Sequence, residues 1–248
     1  MPAVRVAWSR QAWRRFRKVF ASRGVVEGVS INDDFANEVS DVPVLLATRR
    51  PLWVGVQEGL RTRFRQLLGV RYGVRQRCTN AATRGVAVIW DRRWCRKVGR
   101  HVDQPHRRGH GWQAIADSPD TRMRGVVWQD LVVRAKLIGR RLRVRVASAH
   151  RFPQRERAHW PKFDRALAVW ILACPINLVL FMDCNEESGP SGLMALLEEA
   201  APGRFRWVGE GIDGCITDLP TATAEDLARR TSDHQPVSIP FDLTQEKA

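Results

Sequence analysis

Residues that can bind a metal ion or accept a proton stand at the ends of three apolar segments of the sequence. They are Glu58 after residues 52–56, Asp183 and Asn185 after residues 177–182, and Asp233 and His234 before residues 237–241. Short apolar runs of this kind are typical of buried strands. Because a sheet is a rigid scaffold, the ends of three of its strands can bring these side chains into one cleft.

The residue types indicate a divalent-metal site with a general base. Carboxylate and amide oxygens are the ligands that Mg²⁺ and Mn²⁺ prefer, and the cysteine–histidine ligation of zinc is absent. A histidine beside an aspartate can act as a base, because the carboxylate stabilises the imidazolium form. A single strand-end aspartate, or an isolated Asp-His pair, is more often part of a turn. The prediction therefore depends on the combination of all three segments.

The elements that must position these residues are short strands that alternate with amphipathic helices. The predicted strands are 25–31, 52–56, 85–90, 126–135, 142–149, 177–182, 205–208, 212–217 and 237–241. The predicted helices are 35–50, 60–68, 161–174 and 192–201, and residues 92–123 are predicted to form a long surface loop. This order predicts one α/β domain over residues 25–248, with antiparallel sheets covered by helices. A basic amphipathic extension, residues 1–24, precedes it.

The charge distribution favours a polyanionic partner. Residues 1–150 contain 31 Lys and Arg against 11 Asp and Glu, whereas residues 151–248 contain 10 against 15. A basic surface of this size is typical of proteins that bind nucleic acid. The competing interpretation is that a GC-rich genome enriched the chain in arginine without any functional consequence.

Several basic and aromatic residues are candidates for contacts with such a partner. The arginines expected to bind phosphates beside the site are Arg61, Arg63, Arg107 and Arg108. Trp94 and Trp112, which lie in the 92–123 segment, are candidates for stacking on bases. A solvated helix face or a solvated basic loop is the alternative for these arginines.

The sequence carries no visible membrane or secretion signal. Its first 24 residues lack the apolar core of ~7–15 residues that a signal peptide needs. The most apolar stretch, residues 166–182, is interrupted by Pro175 and Asn177, whereas a spanning helix needs ~20 apolar residues. Five cysteines, an odd number, do not suggest a disulfide framework. We expect a cytoplasmic monomer with no stable membrane insertion.

The order of the motifs resembles the endonuclease/exonuclease/phosphatase superfamily, the divalent-metal phosphodiesterases that include deoxyribonuclease I and exonuclease III. The matching positions are Asn32 in S-I-N, Glu58 in V-Q-E, His150 in A-S-A-H, Asp183 and Asn185 in M-D-C-N, Asp213 in G-I-D-G-C-I, and Asp233 and His234 in S-D-H-Q-P-V. The resemblance extends over roughly residues 25–241. It implies a four-layered α/β sandwich of two mostly antiparallel β-sheets flanked by helices.

The resemblance also implies a role for each matching residue. The implied metal ligands, for Mg²⁺ or Mn²⁺, are Glu58, Asn32 and Asp233. The implied catalytic residues are His234 as the base, Asp213 (or Asp233) as the group that orients it, Asp183 and Asn185 as the groups that position the nucleophile, and His150 as a donor to the phosphate.

These features together predict a divalent-metal-dependent phosphodiester hydrolase, a nuclease that acts on DNA. Two alternatives remain open at this point. One is a phosphatase or phospholipase-like phosphodiesterase of the same fold. The other is a catalytically inactive nucleic-acid-binding module, because Met182 stands where the superfamily has Gly before D-x-N.

Overall fold

The structure of the chain is a computed structural model. The residues that it describes are 24–33, 41–58, 64–77, 85–99, 109–117, 123–227 and 234–244. The extension predicted at residues 1–24 lies outside these ranges except for Gly24. Within the described ranges, no helix is both long enough and apolar enough to cross a membrane.

The described residues form thirteen strands. They are β1 (Val25–Asn32), β2 (Trp53–Gln57), β3 (Tyr72–Arg77), β4 (Val86–Asp91), β5 (Cys95–Lys97), β6 (His110–Ala116), β7 (Arg124–Val133), β8 (Leu142–His150), β9 (Asn177–Asp183), β10 (Arg206–Glu210), β11 (Asp213–Thr217), β12 (Glu225–Asp226) and β13 (Val237–Asp242).

The strands form two sheets, each with one parallel pair at its centre. The first sheet has the order β12-β13-β1-β2-β4-β3, and the second has the order β10-β11-β9-β8-β7-β5, with β6 also paired to β7. The parallel pairs are β1–β2 and β8–β9, and the other pairs are antiparallel. The carboxyl ends of a parallel pair meet at one edge of a sheet, so each sheet delivers two strand ends to the same edge.

Helices cover the outer face of each sheet and complete four layers. They are α1 (Val42–Thr48), α2 (Phe64–Leu67), α3 (Ala135–Ile138), the 3-10 helix Gln154–His159, α4 (Trp160–Leu172) and α5 (Ser191–Ala200). A proline stands in the first turn of both α1 and α4, where its fixed φ favours helix initiation. Apolar side chains of α1 and α2 pack on the first sheet, and those of α4 and α5 pack on the second.

The main core lies between the sheets, and two glycines set how closely they approach. Trp53, Phe181 and Phe241 are fully buried between the two layers. A Cβ atom at Gly28 would lie 2.6 Å from the ring of Phe241, and a Cβ atom at Gly55 would overlap the Cβ atom of Phe181. The absence of a side chain at both positions therefore lets Phe181 of the second sheet sit directly against the first.

The predicted fold class is confirmed, and each of the nine predicted strands is present with bounds within two residues. The prediction of a loop over 92–123 is wrong, since this segment contains β5 and β6. Within the described residues, both strands pair with β7 at the edge of the sheet, and the burial of β6 does not alternate along the strand. The helix predicted at 35–50 is confined to 42–48 within the described residues, and that at 60–68 to 64–67.

Candidate active site

Asp183 lies at the centre of a cluster of polar side chains at the shared edge of the two sheets. It ends β9, and strand register places it beside His150 of β8 and Asp213 of β11. Its Oδ2 atom lies 3.2 Å from His150 Nε2 and 3.8 Å from His234 Nδ1. The carboxylate is 1% exposed. The second sheet therefore brings one buried carboxylate between two imidazoles.

The first sheet contributes Asn32 and Glu58 from the ends of its parallel pair. Asn32 Nδ2 donates to Asp183 Oδ2 at 3.0 Å, and Glu58 Oε1 lies 3.5 Å from His150 Nε2. Glu58 has φ +59°, a left-handed conformation that a non-glycine residue rarely adopts. Such backbone strain costs about 1–3 kcal/mol and is concentrated at functional sites.

Neighbouring groups keep Asp183 ionised in spite of its burial. Burial by itself raises the pKa of a carboxyl group, because the low-dielectric interior disfavours the charged form. His150, His234 and the backbone N–H of Asn185 act in the opposite direction and hold the pKa of Asp183 below its usual value. The site therefore contains a buried negative charge that is stabilised only by the groups around it.

Arg124 determines which nitrogen of His150 carries the proton. Its Nη1 atom donates to His150 Nδ1 at 2.9 Å. A guanidinium group has donors and no acceptor, so Nδ1 must accept and the proton must lie on Nε2. The Nε2–H bond then faces the carboxylates of Glu58 and Asp183. His150 is thereby set up as a hydrogen-bond donor toward the centre of the site.

His234 has the opposite arrangement. Its Nδ1 atom lies 2.9 Å from Asp213 Oδ2, so the carboxylate accepts from Nδ1–H and orients the ring. Nε2 of His234 is then the atom that can accept a proton. His234 is partly exposed, with 20% of its side chain accessible. Two histidines of one site thus have different tautomers and different capacities.

A buried ion cluster holds the turn that follows Asp183. The backbone N–H of Asn185 donates to Asp183 Oδ1 at 3.0 Å, and Asn185 Nδ2 donates to the carbonyl oxygen of Arg151 at 3.2 Å. Arg151 is fully buried, and its guanidinium group donates to Glu186 at 2.6 Å and to Asp164 of α4. Because Arg151 directly follows His150, one segment anchors both the histidine and the turn.

Comparison with known proteins identifies the fold. No protein-family model matches the sequence, and no curated protein matches it. The solved structures that are similar over most of the chain include a humanized D. rerio TDP2 with 14 mutations, at 13% identity and TM-score 0.65, which covers 88% of this chain and 99% of that one. An endonuclease/exonuclease/phosphatase family protein of Bacteroides thetaiotaomicron has 12% identity and TM-score 0.63, with 88% of this chain and 94% of that one covered. A mannosyl-6-phosphatase of the same organism has 12% identity and TM-score 0.63, with 87% of this chain and 99% of that one covered. The chain has the endonuclease/exonuclease/phosphatase fold. D. rerio TDP2 has also been solved in complex with a single-strand DNA product (11% identity, TM-score 0.59, 88% of this chain and 98% of that one).

In this endonuclease/exonuclease/phosphatase fold, the described residues include two overlapping sets of donor atoms that could hold a cation. One is formed by Glu58, His150 and Asp183, and the other by Asp183, Asp213 and His234; the atoms of each set lie within 4.8 Å of one another. The oxygen donors fit a hard divalent ion such as Mg²⁺ or Mn²⁺. His150 does not fit as a ligand, because its Nε2 atom carries the proton. The carboxylates of Glu58 and Asp183 remain as the donors that face each other across the two sheets.

The structure places the predicted site residues as follows. Those brought together at the sheet edge are Asn32, Glu58, His150, Asp183, Asp213 and His234, with Asn185 in the adjoining turn. Those outside the described residues are Asp233, Arg61, Arg63, Arg107 and Arg108. Asp213, one of the two residues predicted to orient His234, lies 2.9 Å from its Nδ1 atom, and the other, Asp233, stays a prediction.

Sequence reasoning did not single out the residues that support this cluster. Gln57 is fully buried and donates to Ser148 Oγ of the other sheet at 3.1 Å, and Ser148 donates back to the carbonyl oxygen of Val56 at 2.9 Å. Arg124 and Arg151 were also missed. Gln57 stands in the V-Q-E motif that precedes and includes Glu58, and the signal for Arg151 is that it follows His150. Nothing in the sequence places Arg124 beside His150.

Proposed function

We propose that this chain is a divalent-metal-dependent phosphodiester hydrolase that cleaves DNA. The observation that carries the proposal is the convergence of Glu58 from one sheet with His150, Asp183 and Asp213 from the other, and of His234 with them. These residues are far apart in the sequence, from position 58 to position 234. Buried carboxylates beside oriented imidazoles are the groups that phosphoryl transfer requires.

The oxygen donors of Glu58 and Asp183, with Asn32 beside them, would hold the metal ion. A bound divalent ion would neutralise charge on the phosphate and favour ionisation of a water molecule. His234 accepts a proton from the attacking water at Nε2, and Asp213 orients the ring through Nδ1. His150 donates a hydrogen bond from Nε2–H to a phosphate oxygen and keeps its proton, because Arg124 holds Nδ1 as an acceptor. Asn185, which the turn after Asp183 holds in place, would position the water.

Two observations support a nucleic-acid substrate. The first 150 residues carry a net charge of +20, from 31 basic against 11 acidic residues. A structurally similar protein, D. rerio TDP2, was solved with a single-strand DNA product. Neutralised phosphates release counterions, so the affinity of such an enzyme for DNA should fall steeply as the salt concentration rises.

The test is cleavage of an end-labelled DNA oligonucleotide in Mg²⁺ or Mn²⁺. We expect EDTA to abolish cleavage and His234→Ala to lower the rate by about 10²–10⁴-fold, the usual contribution of a general base. Glu58→Gln, which removes a charge with little change in shape, should lower it comparably. Glu225→Gln, at an exposed position of β12, is the matched control and should leave the rate unchanged. Cleavage that persists both in EDTA and in His234→Ala would refute the mechanism.

A phosphomonoesterase is the second candidate, because one similar structure is a mannosyl-6-phosphatase. Hydrolysis of bis(p-nitrophenyl) phosphate indicates a diesterase, whereas hydrolysis of p-nitrophenyl phosphate or mannose 6-phosphate alone indicates a phosphatase. Salt-dependent DNA binding without turnover of any of these substrates would instead favour an inactive binding module.

A further inference from the structure

The two edges of the molecule that flank the candidate active site have opposite charge. On one side, β3 ends at Arg77, and the exposed helix α2 carries Arg65. On the other side, β10 ends at Glu210, which pairs in register with Asp213, and β12 ends at Asp226, which pairs with Val237. Glu210 and Asp226 are both exposed. The catalytic cluster lies between these two edges.

The arginines of the first edge have no carboxylate partner within the described part of the chain. Among the described residues, none of Arg65, Arg75 and Arg77 has an acidic side chain within ion-pair distance. Burial and the positive charge of Arg65 both lower the pKa of Arg75. Because side chains alternate along a strand, Arg75 and Arg77 share one face of β3. We call these three residues the basic edge.

The basic edge is continuous with the catalytic cluster. A shallow, open pocket of about 10 Å³ is lined by residues of both regions, namely Arg77, Val86, Trp112, Met123, Arg124, Gly125 and His150. The guanidinium carbon of Arg77 lies 5.0 Å from the centre of the Trp112 ring, a cation–π contact that holds the arginine beside the pocket. His150 and Arg124 of the candidate site line the same pocket. A chain of phosphates that leaves the site on this side would therefore pass Arg77 and then Arg75.

The opposite edge, which we call the acidic edge, would repel such a chain. Among the residues that the structure describes there, it is formed by Glu210 and Asp226. Burial and the negative charge of Glu210 raise the pKa of Asp226, so these carboxylates lie close enough to affect each other. Like charges facing a phosphate backbone oppose binding, and unpaired guanidinium groups favour it.

We propose that the substrate strand of the hydrolase extends from the site along the basic edge only, so that the enzyme acts near the end of a polynucleotide strand. The inference rests on the proposed function and makes it more specific, because it distinguishes an end-directed enzyme from one that cuts in the middle of a chain. A strand that continued in both directions would have to cross the acidic edge.

The first part of the test measures binding of a linear single-stranded 20-mer in EDTA, where the strand is not cut. The variants are the double substitution Arg75→Gln/Arg77→Gln and, as a matched control, Arg141→Gln/Arg206→Gln, which are exposed arginines at the opposite end of the sheets. Each lost phosphate contact should reduce the slope of log affinity against log salt by ~0.7, or about 1.4 for the pair. The control pair should keep the slope of the unmodified protein. An unchanged slope in Arg75→Gln/Arg77→Gln would overturn the proposal.

The second part compares cleavage of the linear strand with cleavage of a covalently closed circle of the same sequence in Mg²⁺. We expect the linear strand to be cut at least tenfold faster, and Glu210→Gln/Asp226→Asn to reduce this preference. Equal cleavage rates on the circular and the linear strand would overturn the proposal that the enzyme acts near a strand end. If neither substrate is cut but Arg75→Gln/Arg77→Gln reduces the slope of log affinity against log salt, the hydrolase proposal fails. The proposal that the basic edge binds the strand is then retained. Thermal melting of each variant checks that it is folded.

Discussion

Substitution of Gly55 by alanine tests the coupling between the packing of the two sheets and the candidate active site. Gly55 lies in β2, three residues before Glu58, in an ordinary strand conformation that alanine can adopt. The added methyl group would overlap Cβ of Phe181, which lies in β9 two residues before Asp183. Ordinary carbon contacts are about 3.5–4.0 Å. Because Cβ of Phe181 cannot rotate away, the sheets themselves must separate.

The expected cost is about 3 kcal/mol, at the upper end of the range for overpacked cores. For a chain of this size, that lowers Tm by about 6–12 °C. At Gly28 the nearest atoms are ring atoms of Phe241 and Phe181 at 2.6 and 2.8 Å. These rings can tilt, so Gly28→Ala should cost only about 1 kcal/mol. Gly99→Ala, where no atom of the described residues lies within 4 Å, is the control and should stay within about 0.5 kcal/mol.

Gly55→Ala should affect the rate of DNA cleavage more strongly than the free energy of unfolding. Separation of β2 from β9 moves Glu58 away from Asp183, and a misplacement of about 1 Å can cost about 10²-fold in rate. The assays are urea denaturation, thermal melting and the rate of DNA cleavage on the same preparations. A Gly55→Ala variant that melts like Gly99→Ala would refute the reasoning. Recovery of the stability of Gly55→Ala by a second substitution, Phe181→Ala, would also refute it, because alanine at position 181 retains the Cβ atom that causes the overlap.

Three further predictions concern buried polar groups. Arg124→Met removes the donor to Nδ1 of His150, so ¹⁵N NMR of the imidazole should show loss of the pure Nε2–H tautomer; an unchanged spectrum would contradict the assignment. Burial raises the pKa of Asp164 to about 6 against the opposing effect of Arg151. The folded state therefore binds this proton more tightly than the unfolded state, where the pKa is ~3.9, and the stabilisation is lost as the pH rises from about 4 to 6. Asp164→Asn should flatten that part of the urea-denaturation profile, and an unaltered pH dependence would refute the assignment. Burial also raises the pKa of the Cys184 thiol to about 12, so iodoacetamide at pH 8 should label Cys184 only after unfolding, as mass spectrometry of the peptide would show.

The central strands could be predicted because the pattern of their apolar residues is local in the sequence. Strands β2, β8 and β9 are buried on both faces or alternate regularly, and this pattern is visible in any short window of sequence. The edge strands β5 and β6 could not be predicted. Edge strands need only one partner and one buried face, so their composition does not differ from that of a polar loop.

The candidate site also has a part that the sequence predicts and a part that it does not. The sequence by itself determined which residue types stand at the ends of the central strands, and therefore that Glu58, Asp183 and His234 could meet around a metal ion. The side chains that orient them were decided by tertiary structure. Arg124 is 26 residues from His150 and reaches it only because β7 and β8 pair with the observed register.

The opposite charges of the two edges also depend on the fold. Residues 1–150 are basic as a whole, but the sequence does not show that Arg75 and Arg77 lie beside the site or that Glu210 and Asp226 lie across from them. Strand order and sheet packing decide these positions. Local sequence sets the chemistry that each residue can perform, and long-range contacts set which residues perform it together, because only folding brings distant backbone segments into one electrostatic environment.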